Sequence, residues 1–89
     1  MKTGGWSAQL PVNKEDVEVF NTALEGFVGG SFAPLTVSKQ VVNGINYLFI
    51  AKETLTTLNP VEKLVKVSIS AVPAGSKPQL TNVEDIASL

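Results

Sequence analysis

Apolar residues between Asn13 and Val28 recur at the spacing of one helical face. They follow each other at steps of three, four, three and one, and they are Val17, Phe20, Leu24, Phe27 and Val28. Apolar residues at these intervals line one side of an α-helix. Asn13 is a favourable N-cap, acidic residues occupy the first turn, and Gly29-Gly30 is typical of a helix end. The pattern predicts one amphipathic helix over residues 13–28.

Downstream of Gly30 apolar and polar residues alternate, which is typical of strands with one buried face. The Asn43-Gly44 pair between the first two runs predicts a hairpin with a type I′ turn, in which both turn residues have positive φ. The predicted strands run from Leu35 to Val41, from Ile45 to Ala51, from Glu62 to Val72 and over Gln79–Ile86, with Trp6–Leu10 as a further edge strand.

One helix followed by an antiparallel meander predicts an α+β fold, in which the helix packs across a four- to five-stranded antiparallel sheet. Connections in a meander alternate between the two ends of the sheet. The Asn43-Gly44 turn and the loop over residues 73–78 should therefore emerge side by side, opposite Asn59-Pro60. Contiguous apolar surface is typical of binding sites. We expect such a surface at this end of the sheet, formed by Val41, Val42, Val72 and Pro73.

Length and composition exclude several classes of function. The 89 residues make one domain. Seven lysines, no arginine and eight acidic residues give a net charge of −1, without the basic surface that nucleic-acid binding requires. The chain contains neither Cys nor His, which excludes disulfides, thiolate nucleophiles, the usual catalytic triads and the commonest zinc sites. We expect no enzyme, no metal and no cofactor.

No apolar run approaches the ~18 residues of a membrane span, and the residues after Met1 do not lead into the hydrophobic region of a signal peptide. The sequence therefore predicts no membrane partner and a cytoplasmic location. Secretion from a longer precursor stays open as an alternative.

A five-residue motif, Gln40-Val41-Val42-Asn43-Gly44, resembles the Gln-x-Val-x-Gly first hairpin loop of cystatins. Gly4-Gly5-Trp6-Ser7 is similar to the N-terminal segment of stefins, the intracellular and disulfide-free branch of that family. Val72-Pro73, followed by Gly75, stands where stefins carry a second loop of Leu-Pro-Gly type. The chain departs from the pattern at Asn43, where family members commonly have Ala, and it lacks the second-loop Trp of secreted cystatins.

This resemblance implies a single cystatin-like domain over residues 1–89 that inhibits papain-like, cathepsin-like cysteine proteases reversibly and competitively. In this mode of inhibition a flexible arm, residues 1–6, and two hairpin loops fill the catalytic cleft, and no bond is cut. It also implies that the active state is a monomer, with a domain-swapped dimer as a second state. The protease-binding residues that it implies are Gly4, Gly5, Trp6, Gln40, Val41, Val42, Asn43, Gly44, Val72 and Pro73.

Two other interpretations of the whole chain stay open. A cystatin-like binding or structural module would keep the fold and inhibit no protease, because a fold does not determine function. A small-ligand or enzymatic α+β domain would need a pocket between helix and sheet with convergent polar groups.

Single features also have plain structural interpretations. Asn43-Gly44 alone indicates only a hairpin turn, and Gly4-Gly5 alone indicates only a flexible terminus. Trp6 alone fits a residue that caps the core. The acidic residues Glu15, Asp16 and Glu18 are interpreted as a solvated helix face, and Tyr47 and Phe49 as core residues.

Overall fold

The computed structural model describes residues 4–27 and 30–89. Within that range the chain forms one α-helix and a five-stranded antiparallel sheet whose strands follow sequence order, so the predicted α+β class and the meander are confirmed. No helix in the described ranges is long and apolar enough to cross a membrane. The elements are β1 (Leu10–Pro11), α1 (Lys14–Ala23), β2 (Ser31–Val42), β3 (Gly44–Leu55), β4 (Val61–Ala71) and β5 (Gln79–Ser88).

The helix begins as predicted and ends earlier than predicted. Asn13 and Asp16 form a capping box: the Asn13 side chain accepts from the Asp16 N–H, and the Asp16 carboxylate accepts from the Asn13 N–H. The helix ends at Ala23, because Gly26 adopts a left-handed φ of 82° and turns the chain out of the helix. Val28 and Gly29, on which the predicted end partly depended, lie outside the described residues.

The hydrophobic core lies between α1 and the sheet. Phe20 is fully buried and packs edge-on against Phe49, with 5.0 Å between ring centroids. The assignment of Tyr47 and Phe49 to the core is confirmed. Phe27, placed beyond the end of the helix, is half exposed and contacts Phe32. Besides Phe20, the buried core residues are Val37, Tyr47, Phe49, Ala51, Val65, Val67 and Ile69.

Two details of the β2–β3 hairpin differ from the sequence prediction. A β-bulge between Pro34 and Thr36 leaves Leu35 out of the ladder, with its side chain exposed. The type I′ turn is also wrong, because it requires two residues of positive φ and only Gly44 has one. Val42 pairs with Gly44, so Asn43 alone forms the tip of the turn.

Candidate functional site

Three segments that are distant in the sequence meet at one end of the sheet. Ile45 of β3 pairs there with Val41 of β2 on one side and with Ala71 of β4 on the other. The β2–β3 turn and the β4–β5 loop therefore leave neighbouring strands side by side, as the meander predicted. The N-terminal segment runs along the outer side of β2. We call the combination of residues 4–6, 40–44 and 72–73 the loop edge.

The two loops contact each other through the backbone of Gly44. Its φ is 120°, a conformation that side chains rarely adopt. A Cβ atom at this position would lie 3.0 Å from the Val72 Cα and 3.1 Å from the Ala74 nitrogen, and it would overlap the Ala71 carbonyl oxygen. Glycine therefore allows the first turn to lie directly against the second loop.

The second loop presents two apolar residues at the loop edge. The Val72-Pro73 peptide bond is cis, and the Ser76 N–H donates to the Pro73 carbonyl oxygen at 3.0 Å. Val72 is 41% exposed, and Pro73 is exposed beside it. The loop is thus a closed turn that leaves its apolar residues accessible.

The N-terminal arm is paired with β2 from Gly4 onward. The Gly4 N–H donates to the Val41 carbonyl oxygen at 3.1 Å, and Trp6 forms an isolated bridge with Gln40. Residues 4–6, which we expected to be a flexible arm, are therefore hydrogen-bonded to the sheet; residues 1–3 of that arm lie outside the described part of the chain. Of the predicted edge strand Trp6–Leu10, only Leu10 belongs to a strand, β1, and Trp6 forms an isolated bridge.

Gly4 and Gly5 differ in what the structure shows of them. The positive φ of the arm, 87°, is at Gly4, and a Cβ there would meet nothing within 4 Å. Gly5 is exposed next to it. The backbone conformation that favours glycine is therefore found at Gly4 and not at Gly5.

The side chain of Gln40 joins the arm to β3. Its Nε2 donates to the Gly4 carbonyl oxygen at 2.9 Å, and its Oε1 accepts from the Asn46 Nδ2 at 2.9 Å. Sequence reasoning did not assign a role to Asn46. The signal that could have found it is the hairpin register, which places Asn46 directly opposite Gln40.

The loop edge carries no charge. None of the side chains at residues 4–6, 40–44 and 72–73 is ionisable. Val41 and Val42 are half-buried, Asn43 is exposed at the tip, and Trp6 is 50% exposed on the arm. An uncharged edge with apolar residues suits an interface from which water is excluded.

Asp16 contradicts the interpretation of a solvated acidic helix face. Its side chain is 5% exposed, and its Oδ1 lies 2.6 Å from the Lys39 Nζ. The alternation along β2 turns Lys39 toward α1, where it meets the first turn of the helix. Glu15 and Glu18 are exposed, so the interpretation holds for these two residues only.

A cavity of about 230 Å³ lies between the arm, the start of α1 and β2. Its charged side chains, Asp16 and Lys39, bind each other, and Asn13 caps the helix. The cavity therefore lacks the free convergent polar groups that a small-ligand or enzymatic site would need. Across residues 4–27 and 30–89, no group of three or more His, Cys, Asp or Glu side chains could hold a metal ion.

Neither protein-family models, nor curated proteins, nor solved structures give a match to this chain. What the protein binds must therefore be inferred from the geometry of the loop edge and from the residues that form it.

Proposed function

We propose that this protein is a cystatin-like, reversible and competitive inhibitor of papain-like cysteine proteases, and that the loop edge occupies the protease cleft. The observation that supports this most strongly is the meeting of three segments at one end of the sheet. The glycine-bearing arm, the Gln-x-Val-x-Gly turn and the Val-Pro loop lie side by side in that order. These are the segments whose residues resemble stefins.

The loop edge has the properties of a wedge. Val41, Val42 and Val72 supply apolar contact area, and the close approach of Gly44 to the second loop keeps the two turns together. An interface of standard size buries roughly 1,600 Å² in total. Because hairpin turns and a paired arm are ordered before binding, little conformational entropy is lost on association.

Inhibition in this mode is steric. The wedge covers the catalytic Cys and His of the protease and presents no peptide bond for cleavage. Asn43 is the residue at the tip of the first turn, and its amide is larger and more polar than the Ala that family members commonly have there. We expect this difference to change the affinity for a given protease and to leave the mode of inhibition intact.

The test is a titration of papain with the purified protein, with hydrolysis of a small peptide substrate as the readout. We expect stoichiometric loss of activity, relief of inhibition at high substrate concentration, and recovery of the uncut chain by mass spectrometry. Full papain activity in the presence of excess protein would instead support a binding or structural module with the same fold. Cleavage of the chain would show a substrate and contradict the proposal.

The monomer is the inhibitory state in this proposal. A domain-swapped dimer would straighten the β2–β3 hairpin and remove the first turn of the loop edge. Monomer and dimer fractions from size-exclusion chromatography should therefore differ, with inhibition confined to the monomer.

A further inference from the structure

The amide of Gln40 is hydrogen-bonded at both ends. Asn46 donates its Nδ2–H to the Gln40 Oε1, and Gln40 donates its Nε2–H to the carbonyl oxygen of Gly4. An amide side chain has one accepting and one donating end. Because Asn46 occupies the accepting end, the donating end is directed to the arm.

The tip of the arm has few other contacts. Gln9 ties the segment between the arm and β1 to the sheet, since its Nε2 donates to the Leu48 carbonyl oxygen at 3.0 Å and its Oε1 accepts from Thr36. From Ser7 toward the amino terminus, the described hydrogen bonds to the sheet pass through Ser38, Lys39, Gln40 and Val41, and only those of Gln40 and Val41 reach the residues before Ser7. Trp6 is 50% exposed and lines a pocket with Leu48 and Ser70 on the outer face of the sheet, so its position reports on how the arm is held.

We propose that Gln40 and Asn46 form a latch that positions the N-terminal arm against β2 before a protease is bound. Gln40 is in this view a positioning residue, which acts on binding through the arm. The latch orders the arm in the unbound protein, and this part of the proposal is independent of any protease. The effect of the ordered arm on protease affinity rests on the proposed function. A segment that is held in place before binding loses less conformational freedom when the complex forms.

Trp6 is the only tryptophan of the chain and reports directly on the arm. Gln40→Glu is the sharpest variant, because the carboxylate still accepts from Asn46 but cannot donate to the Gly4 carbonyl oxygen. Asn59→Asp is the matched control, since it makes the same change of amide to carboxylate at an exposed position of the β3–β4 loop, at the opposite end of the sheet.

We expect Gln40→Glu to lower the fluorescence anisotropy of Trp6 and to raise its quenching by acrylamide by up to about twofold, because half of its surface is already exposed. Asn59→Asp should leave both signals unchanged. Slow amide hydrogen exchange at the paired residues of β3 and β4 serves as the check that each variant is folded. A folded Gln40→Glu protein with the Trp6 signals of the parent would overturn the latch.

Affinity for papain gives the second readout. Loss of one net hydrogen bond predicts a Kd about three- to tenfold higher for Gln40→Met, which removes the donor without bringing a charge to the loop edge. Adding Asn46→Ala to it should raise Kd little further, because the two residues act through one contact. Released Trp6 with unchanged Kd would overturn the role of the latch in binding. If the parent itself does not bind papain, the proposed function fails. The anisotropy and quenching of Trp6 still show whether Gln40 holds the arm.

Discussion

The Nζ atom of Lys39 lies 2.6 Å from the Oδ1 atom of Asp16, and this ion pair connects β2 with the first turn of α1. The second oxygen of the same carboxylate accepts the Asn13 N–H at 3.0 Å. Lys39 also accepts, through its carbonyl oxygen, the backbone N–H of Ser7, the residue that follows the arm. Arm, sheet and helix start are thereby joined at one point, next to the loop edge.

Asp16→Ala should lower the free energy of unfolding by about 1–3 kcal/mol, because it removes one half of the capping box and the partner of Lys39. Glu18→Ala is the control, since Glu18 is an exposed acidic residue of the same helix. Its effect should stay within about 0.5 kcal/mol. Urea denaturation measures both, and equal small effects would show that the Asp16 contacts do not stabilise the fold.

Gly44→Ala should destabilise the protein by about 2–4 kcal/mol, through the positive φ and through overlap of the new Cβ with the backbone of the second loop. Gly75→Ala separates the two causes. Gly75 also has a positive φ, 87°, but a Cβ there would meet nothing within 4 Å. We expect strain alone at Gly75, about 1–2 kcal/mol.

Papain inhibition distinguishes these two glycine variants further. Gly44→Ala should separate the first turn from the second loop and weaken inhibition, whereas Gly75→Ala should retain most of it. Equal losses of stability and of inhibition in the two variants would contradict the contact between the loops.

Tyr47 should titrate at unusually high pH. Burial raises the pKa of Tyr47 above its ordinary value of 10.0; the Lys39 ammonium opposes this shift, and the carboxylates of Asp16 and Glu15 add to it. The unfolded chain therefore releases this proton first. The stability that Tyr47 contributes is complete below about pH 10 and is lost as the pH rises through the folded-state pKa.

Tyr47 is the only tyrosine, so the absorbance of tyrosinate reports its titration without interference from other phenols. Tyr47→Phe keeps the ring in the core and removes the phenol. Its unfolding free energy should fall less steeply above pH 10 than that of the parent. A phenol that titrates at its ordinary value in the folded protein would contradict its desolvation by burial.

The sheet was predictable where one face of each strand is buried. Along β3 and β4 the inward residues Tyr47, Phe49, Val65 and Val67 alternate strictly with outward ones, and this period of two fixes both the element and its inner face. The end of the helix was less predictable. Phe27 continues the helical period beyond Gly26, so the local pattern did not show that the glycine would end the helix.

The adjacency of the two loops followed from the meander, but the side-chain contacts around them did not. The contacts of Gln40 with Asn46 and Gly4 depend on the register in which three chain segments pair. A bulge or an irregular turn shifts that register by one residue and would bring other side chains together. The Asp16–Lys39 ion pair depends on how α1 is rotated on the sheet. The spacing of apolar residues along the chain determines neither the strand register nor the rotation of α1 on the sheet.

The loop edge itself is tested most directly by a matched pair of valine variants in the papain titration. Val72 is 41% exposed at the loop edge, and Val61 is 48% exposed at the opposite end of β4. Replacement by Asp adds the same charge at both positions, but only at the loop edge would a carboxylate enter a dry interface without a partner.

Active-site titration of papain with the parent, Val72→Asp and Val61→Asp is therefore the decisive measurement. We predict tight inhibition by the parent and by Val61→Asp, and a Kd at least about 100-fold higher for Val72→Asp, with Val42→Asp behaving like Val72→Asp. Equal inhibition by Val72→Asp and Val61→Asp, or full papain activity with the folded parent, would contradict the claim that the loop edge binds the protease.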